Sequence, residues 1–176
     1  MRTYQRIRIE GGVYFFTVNL AQRRGNDLLV RRIDALREAM RTTKRDHPFM
    51  IDAIVVLPDH LHCIWTLPPG DDDFPKRWRL IKARFSRCVE QGERVSASRK
   101  RKGERGLWQR RYWEHAIRDE RDYQRHLDYI HYNPVKHGYA RAPHEWPHSS
   151  LARWTERGMY SENWAAGAET VELNLE

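Results

Sequence analysis

The chain has 176 residues, enough for one domain with a buried core and too few for two full ones. Forty per cent apolar residues and seven Trp exclude a disordered chain, and a net charge of +8 makes nucleic acid the first partner to consider. No apolar run approaches membrane-spanning length, the polar, basic start from Met1 to Glu10 has no signal-peptide core, and the two cysteines, Cys63 and Cys88, form no C-x-x-C pair. A reducing, cytoplasmic location without a membrane partner is expected.

Gly12 to Leu20 reads as a strand with apolar residues on both faces, as in a central strand. Asp27 to Arg45 reads as a helix, with Val30, Ile33, Leu36 and Met40 at helical spacing. Met50 to Leu57 and His60 to Leu67 read as a hairpin, because Pro58 cannot sit inside a strand and fixes φ for a turn. Phe74 to Gln91 carries the helical stripe Trp78, Ile81, Phe85 and Cys88. Gly92 to Gly106 has scarcely an apolar residue and reads as a mobile basic loop. Leu107 to Arg118 reads as a strand, and Asp119 caps a helix that Pro134 should end near Asn133. Val135 to Ala140 reads as a short strand, and a short helix is expected around Ser150 to Arg157.

The order strand, helix, strand, strand, helix, strand, helix predicts an α+β fold: a ferredoxin-like antiparallel sheet with helices packed on one face. Residues 1–157 would form this domain, including the basic loop 92–106. Residues 158–176 would form an acidic tail, with four Glu and no Lys or Arg.

The chemistry starts at Asp59-His60-Leu61-His62-Cys63. Residues two apart on a strand share a face, so both imidazoles stand side by side, with Cα atoms roughly 7 Å apart. Two neutral imidazoles at that reach can share a metal ion. On the later helix Tyr123, Leu127 and Ile130 form the core stripe, and Asp122, His126, Tyr129 and Asn133 fall along its flank. Tyr129 and Asn133 are four apart, hence neighbours, and stand where they can approach the His pair. A metal on a phosphodiester oxygen withdraws charge and orients the group, and a nearby phenol can then attack phosphorus and form an aryl phosphate. Imidazole-rich ligation by itself favours manganese or zinc over magnesium.

His60-Leu61-His62 after Leu57-Pro58-Asp59 resembles the HUH motif, two His around an apolar residue, and Tyr129 with Asn133 resembles the single-tyrosine helix of HUH transposases. Gly11 to Leu20, Trp108 to His115 and Tyr129 to Gly138 are similar to the REP-associated tyrosine transposases. That resemblance runs from about Tyr4 to Trp164. It implies a ferredoxin-like sheet with the HUH hairpin in it. It also implies cutting and rejoining of single-stranded DNA beside palindromic hairpins through a 5′-phosphotyrosine, with Mg²⁺ or Mn²⁺ as cofactor. Carried onto this chain, Tyr129 is the nucleophile, His60 and His62 are ligands and Asn133 is the third, although many of these transposases use the longer Gln there. His126 is a possible auxiliary group for a proton or phosphate. A monomer is expected rather than a dimer.

DNA-backbone contacts are expected from Arg99, Lys100, Arg101, Lys102, Arg110, Arg111 and Lys136. A second cluster, Arg2, Arg6 and Arg8, has Tyr4 interleaved for base stacking. The competing reading is a binding module that holds structured nucleic acid without cutting it. A zinc deaminase is excluded by the lack of His-x-Glu with Pro-Cys-x-x-Cys, and a phosphoesterase with two His-x-Thr/Ser repeats by the single His-x-His.

Overall fold

The computed structural model describes residues 7–93 and 95–165. It contains a four-stranded antiparallel sheet, built from β1 (Val13–Asn19), β2 (Met50–Val56), β3 (His60–Thr66) and β4 (Trp113–Ala116), in the order β2-β3-β1-β4. This is the ferredoxin-like strand order. It places β1 and β3 centrally, so the His-bearing strand is paired along both edges. The helices are α1 (Leu28–Arg31), α2 (Ile33–Asp46), α3 (Phe74–Arg87), α4 (Ala97–Arg101), α5 (Glu120–Lys136) and α6 (Leu151–Glu156). None is long and apolar enough to cross a membrane.

Strand alternation sends the side chains to two cores. Tyr14, Phe16, Val18, Cys63 and Trp65 pack with Leu36 and Met40 of α2 and Trp78, Ile81 and Phe85 of α3. Phe15, Val55 and Ile64 pack instead with Leu127, Tyr129 and Ile130 of α5 and Leu151 of α6. The α+β antiparallel sheet is as expected, but helices on one face only is not. The two crossover helices share one face, and α5 with α6 covers part of the other. The apolar parity of β1 signalled this, since a strand buried on both faces needs cover on both. A register shift between Ile51 and Ala53 lets Ile51 and Ile54 pack against the first core while Ala53 and Val55 enter the second.

Further expectations change. The first helix breaks at Arg32, whose guanidinium donates to the Cys88 carbonyl at 2.7 Å. The Gly92 to Gly106 segment includes α4, capped by Ser96, and its end is fastened by Arg105. That side chain donates to the Val89 and Glu90 carbonyls at 2.7 and 2.8 Å and pairs with Glu93 at 2.5 Å. Arg94, within the segment, lies outside the described residues.

Pro134 does not end α5 either, and 135–140 is not a strand. Proline's fixed φ is helical, and its missing N–H forfeits a single bond in the last turn. The chain continues with His137 donating to the Asn133 carbonyl at 3.1 Å and Tyr139 donating to that of Pro134 at 2.8 Å. Beyond residue 157, Tyr160 is buried in the second core and donates to Asp128 at 2.6 Å, so the packed body extends past the expected tail boundary. Residues 166–176, with the last three Glu, lie outside the described residues.

Candidate active site

His60 and His62 project from β3 into a cleft of about 500 Å³, lined also by Phe15, Thr17, Asn19, Arg23, Trp113, Tyr129 and His137. The antiparallel register sets Asn19 opposite His60 and Thr17 opposite His62, so β1 supplies the neighbours on the same face. The two imidazole rings lie 5.0 Å apart and almost perpendicular.

Each imidazole is held through Nδ1. Asp59 accepts from His60 Nδ1 at 2.6 Å, and its other oxygen accepts from Arg23 Nε at 2.7 Å. The Arg23 guanidinium Nη2 also lies 3.3 Å from that Nδ1. A single ring nitrogen cannot donate and accept together, and the shorter, charged carboxylate contact fixes the proton on Nδ1. Thr17 Oγ1 lies 2.8 Å from His62 Nδ1. The Asp59 carboxylate leaves His60 Nε2 to carry the lone pair, and the Thr17 hydroxyl can accept from His62 Nδ1, the arrangement in which His62 Nε2 is likewise free to ligate.

Burial lowers the pKa of both imidazoles, the His62 one far, and neighbouring positive groups add to the effect on His62. They are neutral at physiological pH, which is the ligating form. His62 Nε2 is buried with no hydrogen-bond partner. An orphaned acceptor of this kind beside a second neutral imidazole fits a divalent cation, since a buried polar atom without a partner is costly.

The α5 helix brings Tyr129 to the same cleft. Its ring is 3% exposed, 5.2 Å from the His62 ring and 5.9 Å from Phe15, edge-on to both. Lys136 stands seven positions on, about 20° off the same helical direction, and its Nζ lies 4.8 Å from the Tyr129 ring centre. That alignment exists because the helix runs through Pro134. Asn133 is fully buried, both carboxamide atoms lack hydrogen-bond partners, and it does not line the cleft. His137, four positions later, does line it, with its ring 5.1 Å from His60.

His126 is elsewhere. It is buried, donates from Nδ1 to the Asp122 carbonyl at 2.8 Å and stacks on His115 at 4.7 Å. His115, Asp122 and His126 bring three ligand-type atoms within 4.8 Å of one another. Their contacts are accounted for without an ion. Asp122 accepts from His115 Nε2 at 2.7 Å and from the Arg118 backbone N–H at 3.0 Å. Burial works to raise the Asp122 pKa, but these hydrogen bonds outweigh it and hold it at about 2. The cluster ties β4 to the start of α5.

The basic residues divide. Lys100, Arg101, Lys102, Arg110 and Arg111 are exposed, as is Lys136 beside Tyr129. Arg99 donates to the Trp108 carbonyl at 3.0 Å, and Arg110 pairs with Glu104 at 2.8 Å. Arg8 pairs with Asp72 and Asp73 near the start of β1, whereas the His pair faces its end. Arg2, Tyr4 and Arg6 lie outside the described residues. Sequence reasoning missed Thr17, Asn19, Arg23, Trp113 and His137. For Thr17 and Asn19 the signal was the β1 alternation, which sets them on the Phe15 face; for the others no local pattern existed.

The family model for IS200-like transposases matches residues 13–133. A REP-associated tyrosine transposase of Escherichia coli K12 is 48% identical over 165 residues, 94% of this chain and 92% of that protein. A Haemophilus influenzae relative is 41% identical over 96% of each chain. The solved structure of a REP-associated tyrosine transposase bound to a REP hairpin superposes with a TM-score of 0.80 at 48% identity, covering 95% of this chain and 93% of that one.

Proposed function

Because the chain belongs to the IS200-like transposase family, as a REP-associated tyrosine transposase, we propose that it cleaves and rejoins single-stranded DNA beside REP-type hairpins with Tyr129 as nucleophile. The observation that carries this reading is the convergence of Tyr129, from α5, on the His60–His62 pair of β3 in one cleft. Hairpin DNA as substrate is supported by the related transposase solved with a REP hairpin.

His60 and His62 would hold the divalent cation through Nε2. Asn133 is the proposed third ligand, supported by its unpartnered carboxamide, and His137 is the competing donor, supported by its place in the cleft. Mg²⁺ or Mn²⁺ would supply charge withdrawal from a non-bridging phosphate oxygen. Tyr129 gives its phenolic proton to solvent water, its oxygen bonds to phosphorus as the bond from phosphorus to the 3′ oxygen breaks, and that oxygen leaves as a hydroxyl by taking a proton from water, so that a 5′-phosphotyrosine and a free 3′ hydroxyl result. Lys136 and Arg23 set two positive charges at the cleft for the phosphate. The exposed cations of residues 100–102, 110 and 111 hold the flanking backbone. His126 has a structural rather than a chemical part. The described body forms one transposase domain that acts as a monomer.

The test is incubation with a REP-type hairpin oligonucleotide and Mn²⁺, followed by denaturing electrophoresis. Wild type gives a protein–DNA adduct. Tyr129→Phe gives none and keeps hairpin affinity within a few-fold. An adduct that survives the substitution moves the nucleophile elsewhere, and no adduct from wild type favours the binding module.

A further inference from the structure

Trp113 has a position that packing does not explain. It is 46% exposed, on a four-residue edge strand, and it lines the cleft that holds Tyr129. Large aromatic side chains normally bury most of their area, so an indole left open beside polar groups is informative. Its ring is nevertheless held. It lies parallel to His115 at 5.9 Å with 6° between the planes, and edge-on to Phe15 at 5.6 Å. His115 is fixed in turn by its 2.7 Å bond to Asp122. Tyr139, similarly exposed, differs because it does not line the cleft.

The cleft's other polar groups suit a phosphate: three imidazoles, a guanidinium, a hydroxyl, a carboxamide and a phenol. Among the lining residues the open apolar ring is that of Trp113; His137 is exposed as well, but its imidazole is polar and packs against the His60 and Tyr139 rings. An oriented indole beside a phosphodiester site offers what a splayed-out base requires, a flat apolar face whose partner need not be of one base type.

We propose that Trp113 is a stacking platform for the base of a nucleotide flanking the cleaved phosphodiester, and so a residue that positions the scissile bond. This rests on the reading of the cleft as a DNA-cleaving site. The ordered Phe15–Trp113–His115–Asp122 contacts then act to hold the platform, which gives the His–Asp–His cluster a use beyond joining β4 to α5.

The test is a protein-by-DNA cycle on the non-cleaving Tyr129→Phe protein. A hairpin oligonucleotide is made intact and with an abasic nucleotide at each unpaired position flanking the hairpin in turn. Trp113→Ala should weaken binding of the intact oligonucleotide about 5- to 150-fold, the equivalent of ~1–3 kcal/mol for one stacked base. At one position the abasic oligonucleotide should bind both proteins equally, and Trp113→Phe should recover most of the loss. An equal penalty with every oligonucleotide, or no penalty, overturns the proposal. Should Trp113→Ala not fold, 2-aminopurine at the same positions decides: quenching at one position in the Trp113 protein, relieved in the non-aromatic Trp113→Leu, supports stacking, and unchanged emission at all of them refutes it. An adduct from wild type without this coupling sinks the platform alone, and coupling without an adduct sinks the enzyme reading alone.

Discussion

Removing the Asp59 carboxylate should weaken metal binding through His60 without disturbing the fold. Asp59 is 7% exposed and His60 3%, and the 2.6 Å contact between them is charge-assisted. The carboxylate keeps the proton on Nδ1 and so the lone pair on Nε2. Partners of this kind are worth about 10- to 100-fold in metal affinity, or ~1.4–2.8 kcal/mol. Asp59→Asn retains an acceptor for His60, because Arg23 is half exposed and can turn to solvent. Its cost should lie near the tenfold end. Asp59→Ala frees the imidazole to take the other tautomer and should approach 100-fold. The backbone carbonyl of residue 59 still accepts from Leu20 N–H at 2.9 Å, so the strand junction survives. Thr17→Val supplies the scale, since a neutral hydrogen bond on His62 is worth ~0.5–1.5 kcal/mol, or about 2- to 12-fold. Calorimetric titration with Mn²⁺ measures all three, with thermal melting as the control for folding. Wild-type affinity in Asp59→Ala would refute the reasoning. So would the same loss on adding Asp59→Ala to a His60→Ala protein, where no imidazole remains to orient.

The third ligand is decided by the same titration: Asn133→Ala should lower Mn²⁺ affinity at least tenfold and more than His137→Ala, and the reverse order would give the position to His137. His131 is fully buried, and burial pushes its pKa to about 3. Below pH 6.5 the unfolded chain takes up a proton that the folded one refuses, so stability falls by about 3 kcal/mol between pH 6.5 and 4 from this group. Denaturant melts of His131→Leu should show a correspondingly shallower acid loss, and an identical pH slope would count against it. Asp122, with its pKa at about 2, acts in a lower window. Its stabilisation, about 2 kcal/mol, is complete above the unfolded value near 4 and is lost as pH falls toward 2, so Asp122→Asn should flatten the melting curve there alone.

The sequence by itself determined the sheet and its reactive strand. Period-two alternation, Pro58 and the helical stripes are local, and they set His60 and His62 on one face and Tyr129 beside the core stripe of α5. The resemblance carried by the motifs determined the family. Tertiary structure decided what depends on strands and helices meeting across long stretches of chain. Register brought Thr17 to His62 and Asn19 to His60. The turn before β3 brought Asp59 and Arg23 together, 36 residues apart in sequence. Pro134 reads as a helix stop because the rule concerns the lost N–H. In the folded chain the loss falls in the final turn, where Lys136 and His137 gain their places at the cleft from the helix continuing. The basic segment looked mobile from composition, and only the carbonyls at the end of α3 show why Arg105 anchors it. Local pattern fixes which face a side chain takes; which distant side chain it meets there is set by packing, and the composition of the cleft is of that second kind.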